Sequence, residues 1–302
     1  MKIAISGGTG FIGKQLAQFL NLKGHTIYIL TRQTIENSPD SNIQYLQWTA
    51  NSHTFPLSSV DVVINLAGES INNRRWTQKQ KENILKSRLH TTKGLIRQLQ
   101  TLQTKPHTFI NASAIGYYGT SIEKTFTEQD TEHGDDFLAN TVHLWEKEAS
   151  HAIPLGIRTI YARFGVVLDA EGGALPKMLL PYQLYIGGTI GSGKQWLSWI
   201  HLHDAIRMID FAIQAKEIEG PLNITAPEPI TMKEFGKTLS NVIGRPHWLP
   251  TPAFVLHTLL GEMSILILQG QYALPHKALD YGYKHSFPTL SHALQNILSH
   301  TM

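Results

Sequence analysis

The chain has 302 residues, 42% of them hydrophobic and 16% charged, with a formal net charge of +3 and no cysteine. Without cysteine there are no disulfides, thiolate metal sites or cysteine nucleophile. A weakly basic balance with no long Lys/Arg run argues against a dedicated nucleic-acid or membrane-surface role.

The length admits one large α/β unit plus a second lobe. Lys2–Ser6 (KIAIS) is short and apolar, as expected of a central parallel strand covered on both faces. Because the N-terminus reads as a core strand rather than a cleavable leader, a cytoplasmic protein is expected. Gly7, Gly10 and Gly13 follow at GxxGxxG spacing, with Thr9 inside the turn. Phe11 and Ile12 then open a helical pattern carried by Leu16, Phe19 and Leu20. Strand, glycine turn and helix in this order set backbone N–H groups and a helix N-terminus against an anionic pyrophosphate. A plain surface loop is the poorer reading, because the turn stands at the first β–α junction. Residues Gly7, Thr9, Gly10, Phe11, Ile12 and Gly13 are therefore read as dinucleotide-binding.

Thr26–Thr31 (TIYILT) reads as the second strand, and Arg32 follows where NAD-selective sites usually place an acid. Thr31 and Arg32 offer a hydroxyl and a fork of donors suited to a 2′-phosphate, so NADP(H) is expected over NAD(H). Ile43–Trp48 is the third expected strand and Val60–Leu66 the fourth, ending at Ala67-Gly68-Glu69. In a doubly wound sheet the carboxyl end of such a strand lies over the cofactor, which makes Leu66, Ala67, Gly68 and Glu69 candidate contacts. A polar helix over Thr77–Leu102 carries Asn83 and Arg88, which share much of one face and could turn toward the cofactor; solvated side chains are the commoner alternative. Thr108–Ser113 and Arg158–Phe164 complete the expected sheet, with a helix over Asp136–His151 between them.

Beyond Gly165 the chain becomes glycine-punctuated around Ala174–Tyr182, then gives a strand at Trp196–Leu202, a helix at Asp204–Lys216 and a short strand at Pro221–Thr225. A Leu/Ile-rich helical lobe divided by prolines follows from Thr231. His201 and His203 stand two apart on the expected strand and face one way, yet no further ligands accompany them, so no metal site is expected. The fold expected is α/β: a Rossmann-like doubly wound parallel sheet with a smaller, interleaved C-terminal substrate domain. The nucleotide domain takes residues 1–168 plus about 198–226, and the smaller domain 169–197 and 227–302.

GGTGFIG at 7–13, NLAG at 65–68, SAIGYYG at 113–119 and GSGKQWLSWIHLHD at 191–204 resemble the extended short-chain dehydrogenase/reductases. Trp145-Glu146, GESI at 68–71, GGALPKMLLP at 172–181 and GPLNITAP at 220–227 are similar to one atypical branch, the NAD-dependent epimerase/dehydratase-like "epimerase family proteins", which carry a C-terminal domain of unknown function. The resemblance spans essentially the whole chain. It implies a Tyr-x-x-x-Lys acid/base pair on the helix after the fifth strand, yet Leu138 and Val142 occupy those positions. Leucine and valine transfer no proton. Candidate substitutes are Tyr117, Tyr118 and Glu146, with Ser113 next to Ala114 at the family's Ser/Thr position. Where sugar-nucleotide members hold a diphosphate-clamping arginine, this chain has Leu197 between Trp196 and Trp199, which implies a less anionic substrate. Two functions are thus expected. One is an NADP(H)-dependent oxidoreductase or epimerase-like enzyme on an unidentified small carbonyl or hydroxyl compound. The other is an NADP(H)-sensing regulatory or scaffold protein without turnover, for example in cell division. Relatives often pair the two long helices across a two-fold axis, which makes a homodimer the expected assembly.

Overall fold

Seven parallel strands in the order β7-β6-β5-β4-β1-β2-β3 make the central sheet of the computed structural model, which describes residues 1–37 and 41–299. They are β1 (Lys2–Ser6), β2 (Thr26–Thr31), β3 (Ile43–Gln47), β4 (Val62–Asn65), β5 (Thr108–Ala114), β6 (Arg158–Phe164) and β7 (Gly220–Ile224). The strands alternate sides, so each contributes to two cores. Ile3, Ile5, Ile27 and Ile64 face α1 (Phe11–Leu22), while Ala4, Leu30, Val63 and Phe109 face α2 (Gln78–Thr101) and α3 (Phe137–Ala149). Burial on both faces is why these segments read as continuous apolar runs.

After β6 the chain enters the second lobe through α4 (Leu175–Gln183), then returns at α5 (Leu202–Gln214), whose Ile206, Ile209 and Ile213 complete the α1 side. The lobe's own core joins Leu175, Leu179, Tyr182 and Trp199 to Phe235 and Leu239 of α6 (Met232–Ile243) and to Leu294. The exposed helix α7 (Ala253–Leu260) follows. The chain then crosses back once more. Tyr272–Ala273 pairs in parallel with Thr125–Phe126, and Ala278 and Tyr283 enter the first core.

The segment expected as one strand over Trp196–Leu202 is two short strands, Trp196–Leu197 and Trp199–His201, broken at Ser198. Ser198 Oγ donates to the Gln271 carbonyl and accepts from Ala273 N–H, so it serves the crossing chain. His203 lies in α5 and does not share a strand face with His201. His201 instead caps that helix, its Nδ1 accepting from His203 N–H at 3.0 Å. Among the described residues no helix is long and apolar enough to cross a membrane.

Candidate functional site

The glycine turn is closed by Gly10 N–H donating to the Gly7 carbonyl at 3.0 Å. Gly7 has φ +78°, and a Cβ there would come within 2.7 Å of the Leu66 carbonyl carbon. A Cβ on Gly13 would stand 2.2 Å from the Gly7 oxygen, so helix and strand meet only because both positions lack side chains. No side chain caps α1 and its first turn holds no acid. Thr9 and Gly10 are exposed, which leaves the first N–H groups and the positive end of the helix open to an anion. The residues present fit a pyrophosphate. Phe11 closes the far side: its ring lies where a Cβ on Gly172 would be, 2.4 Å from Cδ2.

At the end of β2, Thr31 is buried and its Oγ1 accepts from Gln33 N–H at 3.2 Å, so this hydroxyl shapes the turn. Arg32 is exposed, and among the described residues its guanidinium makes no hydrogen bond or ion pair. The Leu66–Ala67 backbone forms the wall against Gly7.

Arg88 does not reach outward. Its Nη1 donates to the Glu69 and Ile84 carbonyls, both at 3.0 Å, and its guanidinium lies 5.1 Å from the Trp145 ring centroid. Burial lowers its pKa to about 10. Together with Ser87 Oγ, which accepts from Glu69 N–H at 3.0 Å, it fixes the Gly68–Glu69 loop from behind. Asn83 is exposed on α2 and makes no hydrogen bond among the described residues.

The four candidate catalytic groups are brought together, but beneath the surface. Glu146, 7% exposed, accepts from Arg163 Nε and Nη2, both at 2.8 Å, and from Ser113 Oγ at 2.5 Å. Arg163 in turn lies 3.6 Å from the Tyr117 ring centroid and 4.9 Å from that of Tyr118. Burial lowers the Arg163 pKa, but the Glu146 bonds outweigh it and the net shift is upward. Tyr117 donates to the Thr131 carbonyl at 2.7 Å, and Tyr118 donates to Asn223 Oδ1 at 2.8 Å. Burial pushes the Tyr118 phenol up to about 12. Each hydroxyl and the carboxylate thus has a protein partner. Trp145 belongs to the same scaffold. Its Nε1 donates to Thr92 Oγ1, which also receives Asn65 Nδ2, both at 2.9 Å.

Between the lobes lies a cleft of about 840 Å³, bordered by Trp76, Phe137, Ser192, Ile265 and Leu268. Trp76 and Phe137 meet edge to face at 5.3 Å. The Gly68–Trp76 loop is strapped across to the second lobe: Lys177 Nζ donates to the Asn72 carbonyl at 2.8 Å and Arg75 Nη2 to the Thr258 carbonyl at 3.1 Å. Lys81 pairs with Glu262. His257 also borders the cleft, with Nδ1 hydrogen-bonded to Ser264 Oγ at 2.9 Å and Nε2 without a partner among the described residues. Sequence reasoning missed His257, because it sits in a lobe without a recognisable motif. Trp199, expected at the rim, is fully buried with its Nε1 on the Glu228 carbonyl. A separate hollow of about 710 Å³ lies on the other side of α2, around Lys93 and His151.

A parallel sheet opened by an uncapped glycine turn, with an interlobe cleft beyond it, defines a Rossmann-type NAD(P)-binding protein of the extended short-chain dehydrogenase/reductase kind. The chain belongs to the NAD dependent epimerase/dehydratase family, whose sequence model matches residues 3–225. Residues 251–297 match a domain of unknown function (DUF1731). Over 301 residues it is 51% identical to "Epimerase family protein YfhF" of Bacillus subtilis (strain 168), covering 99% of this chain and 98% of that protein. An epimerase family protein of Staphylococcus saprophyticus is 40% identical over 97% of this chain and 98% of its own. Among solved structures, human epimerase family protein SDR39U1 (isoform 2) with NADPH superposes with a TM-score of 0.88 at 36% identity, covering 99% of both chains.

Proposed function

We propose that the chain binds NADP(H) and reduces or oxidises a small, partly apolar carbonyl or hydroxyl compound held in the interlobe cleft. The observation that carries the cofactor choice is Arg32, exposed and unpaired among the described residues at the β2 terminus. The NADPH in the 36% identical human relative supports the same choice. Bound NADP(H) supplies the hydride, and carbonyl reduction also requires one proton at oxygen. The glycine turn holds pyrophosphate and Arg32 the 2′-phosphate. Trp76, Phe137, Ile265 and Leu268 line the cleft and seat apolar groups. With both phenols and Glu146 committed to protein partners, His257 is the group that moves the proton. Ser264 fixes its Nδ1 and leaves Nε2 free to give or take one.

Titration with NADPH and NADH, read by nicotinamide fluorescence, tests the cofactor reading. Arg32→Ala removes charge-assisted bonds of about 1.5–3 kcal/mol and should weaken NADPH about 10- to 150-fold while leaving NADH unchanged. An equal loss for both cofactors would refute it. Binding without turnover is the second reading, favoured by the internal satisfaction of Ser113, Tyr117, Tyr118 and Glu146. NADPH oxidation by a panel of apolar aldehydes and ketones decides between the two. Turnover that His257→Ala lowers supports the enzyme; none with any compound supports the sensor.

A further inference from the structure

The second lobe carries an apolar surface that none of the described residues covers. Leu184, Tyr185, Ile186, Trp248, Leu249 and Phe254 are each 44–71% exposed, although such side chains are normally scattered singly over a soluble surface. They form one unit. Trp248 Nε1 donates to the Tyr185 carbonyl at 2.9 Å, and the Trp248 and Leu249 amides both donate to the Gly187 carbonyl. Tyr185 is held at φ 62°, a left-handed backbone that side chains seldom adopt, at the tip of this turn. Next to it, α7 (AFVLHTLL) is apolar nearly all round, yet none of its residues is buried. A helix of that composition is normally buried instead of facing water.

Charge names the occupant. Residues 172–203 and 235–261, which build this face, contain Lys177, Lys194, Lys237 and Arg245 and not one Asp or Glu. Arg245 stacks 4.3 Å from the Tyr185 ring centroid, and Lys237 and Lys233 flank His247 closely enough to help lower its pKa, after burial itself. Of the four acids that frame the two stretches, Asp204 is fully buried, Glu234 closes the α6 capping box, Glu262 pairs with Lys81, and Glu171 is exposed. A net charge of +3 taken over the whole chain hides this local asymmetry.

We propose that this face docks the protein in the plane of an anionic lipid bilayer, with Trp248, Tyr185 and Phe254 at headgroup depth and Lys237 and Arg245 on the phosphates. Helix α7 both belongs to this face and borders the cleft through His257, so docking sets the cleft mouth beside the lipid. The full chain would be spun with vesicles of phosphatidylcholine alone and of phosphatidylcholine with phosphatidylglycerol, without cofactor, so the result is independent of turnover. Binding should favour the anionic vesicles and weaken with salt. Lys237→Glu with Arg245→Glu should lower partitioning at least about thirtyfold, at ~1 kcal/mol per interfacial cation. Trp248→Ser with Phe254→Ser should abolish it, while NADPH titration reports that each variant is folded. Absence of binding to anionic vesicles would overturn the proposal. So would a dimer by light scattering that Trp248→Ser dissociates, since the face would then meet a second copy of this chain.

Discussion

Replacing Glu146 with alanine should destabilise the protein by about 3–5 kcal/mol, because it strands one member of a buried ion pair. Arg163 is only 3% exposed, and Glu146 takes two of its nitrogens at 2.8 Å. Its Nη1 already lacks a partner among the described residues, so without the carboxylate the guanidinium would be left to its contacts with Tyr117 and Tyr118. Ser113 Oγ would lose its acceptor as well. With an unfolding entropy of roughly 2.1 cal/mol/K per residue, the melting temperature should fall by about 5–8 °C. Calorimetric melts of Glu146→Ala, Arg163→Met and the double variant would measure it. The double variant should cost less than the sum of the singles, with a coupling of about 0.5–3 kcal/mol. A Glu146→Ala protein that melts within about 1 °C of the parent would refute the assignment, and Glu146 would return as a candidate base.

Gly13→Ala sets a methyl group where 2.2 Å separates it from the Gly7 carbonyl oxygen. It should cost about 1–3 kcal/mol and weaken NADPH in the fluorescence titration, because the turn must open. Arg88→Ala removes two hydrogen bonds to carbonyls of the Glu69 loop and α2, so that loop should gain protease sensitivity and cofactor affinity should fall severalfold. Burial, the largest cause, holds the His201 imidazole below its usual 6.5, and its Nδ1 must stay unprotonated to cap α5. The unfolded chain therefore takes up the proton first on acidification, and stability should fall as pH drops below about 6.5. His201→Asn keeps a capping side chain without the titration and should flatten that slope in melts at pH 5.5 and 7.5. An unchanged slope would move the effect to another histidine.

The central sheet and glycine turn were legible because local pattern decides them: apolar strands covered on both faces, and glycines where a Cβ would strike backbone. The position of Arg32, directly after β2, was legible for the same reason. What the sequence could not reveal were partners far along the chain. Tyr118 meets Asn223, 105 residues away, and Glu146 meets Arg163 of β6, partners that no local pattern marks. Ser198 broke an expected strand through bonds to residues 73 and 75 positions on. His257 was overlooked because only folding carries α7 to the cleft.

The crossing near residue 272 also sets the order in which the two cores can close. Asp204, fully buried, accepts from the amides of Ser286 and Phe287, and Tyr283 reaches the same carboxylate. The first core is therefore finished by residues about eighty positions downstream of Asp204. Asp204 has these partners only once residues 283–287 have joined the fold. The first core closes only with that segment in place, and deleting it would open the core instead of excising a module.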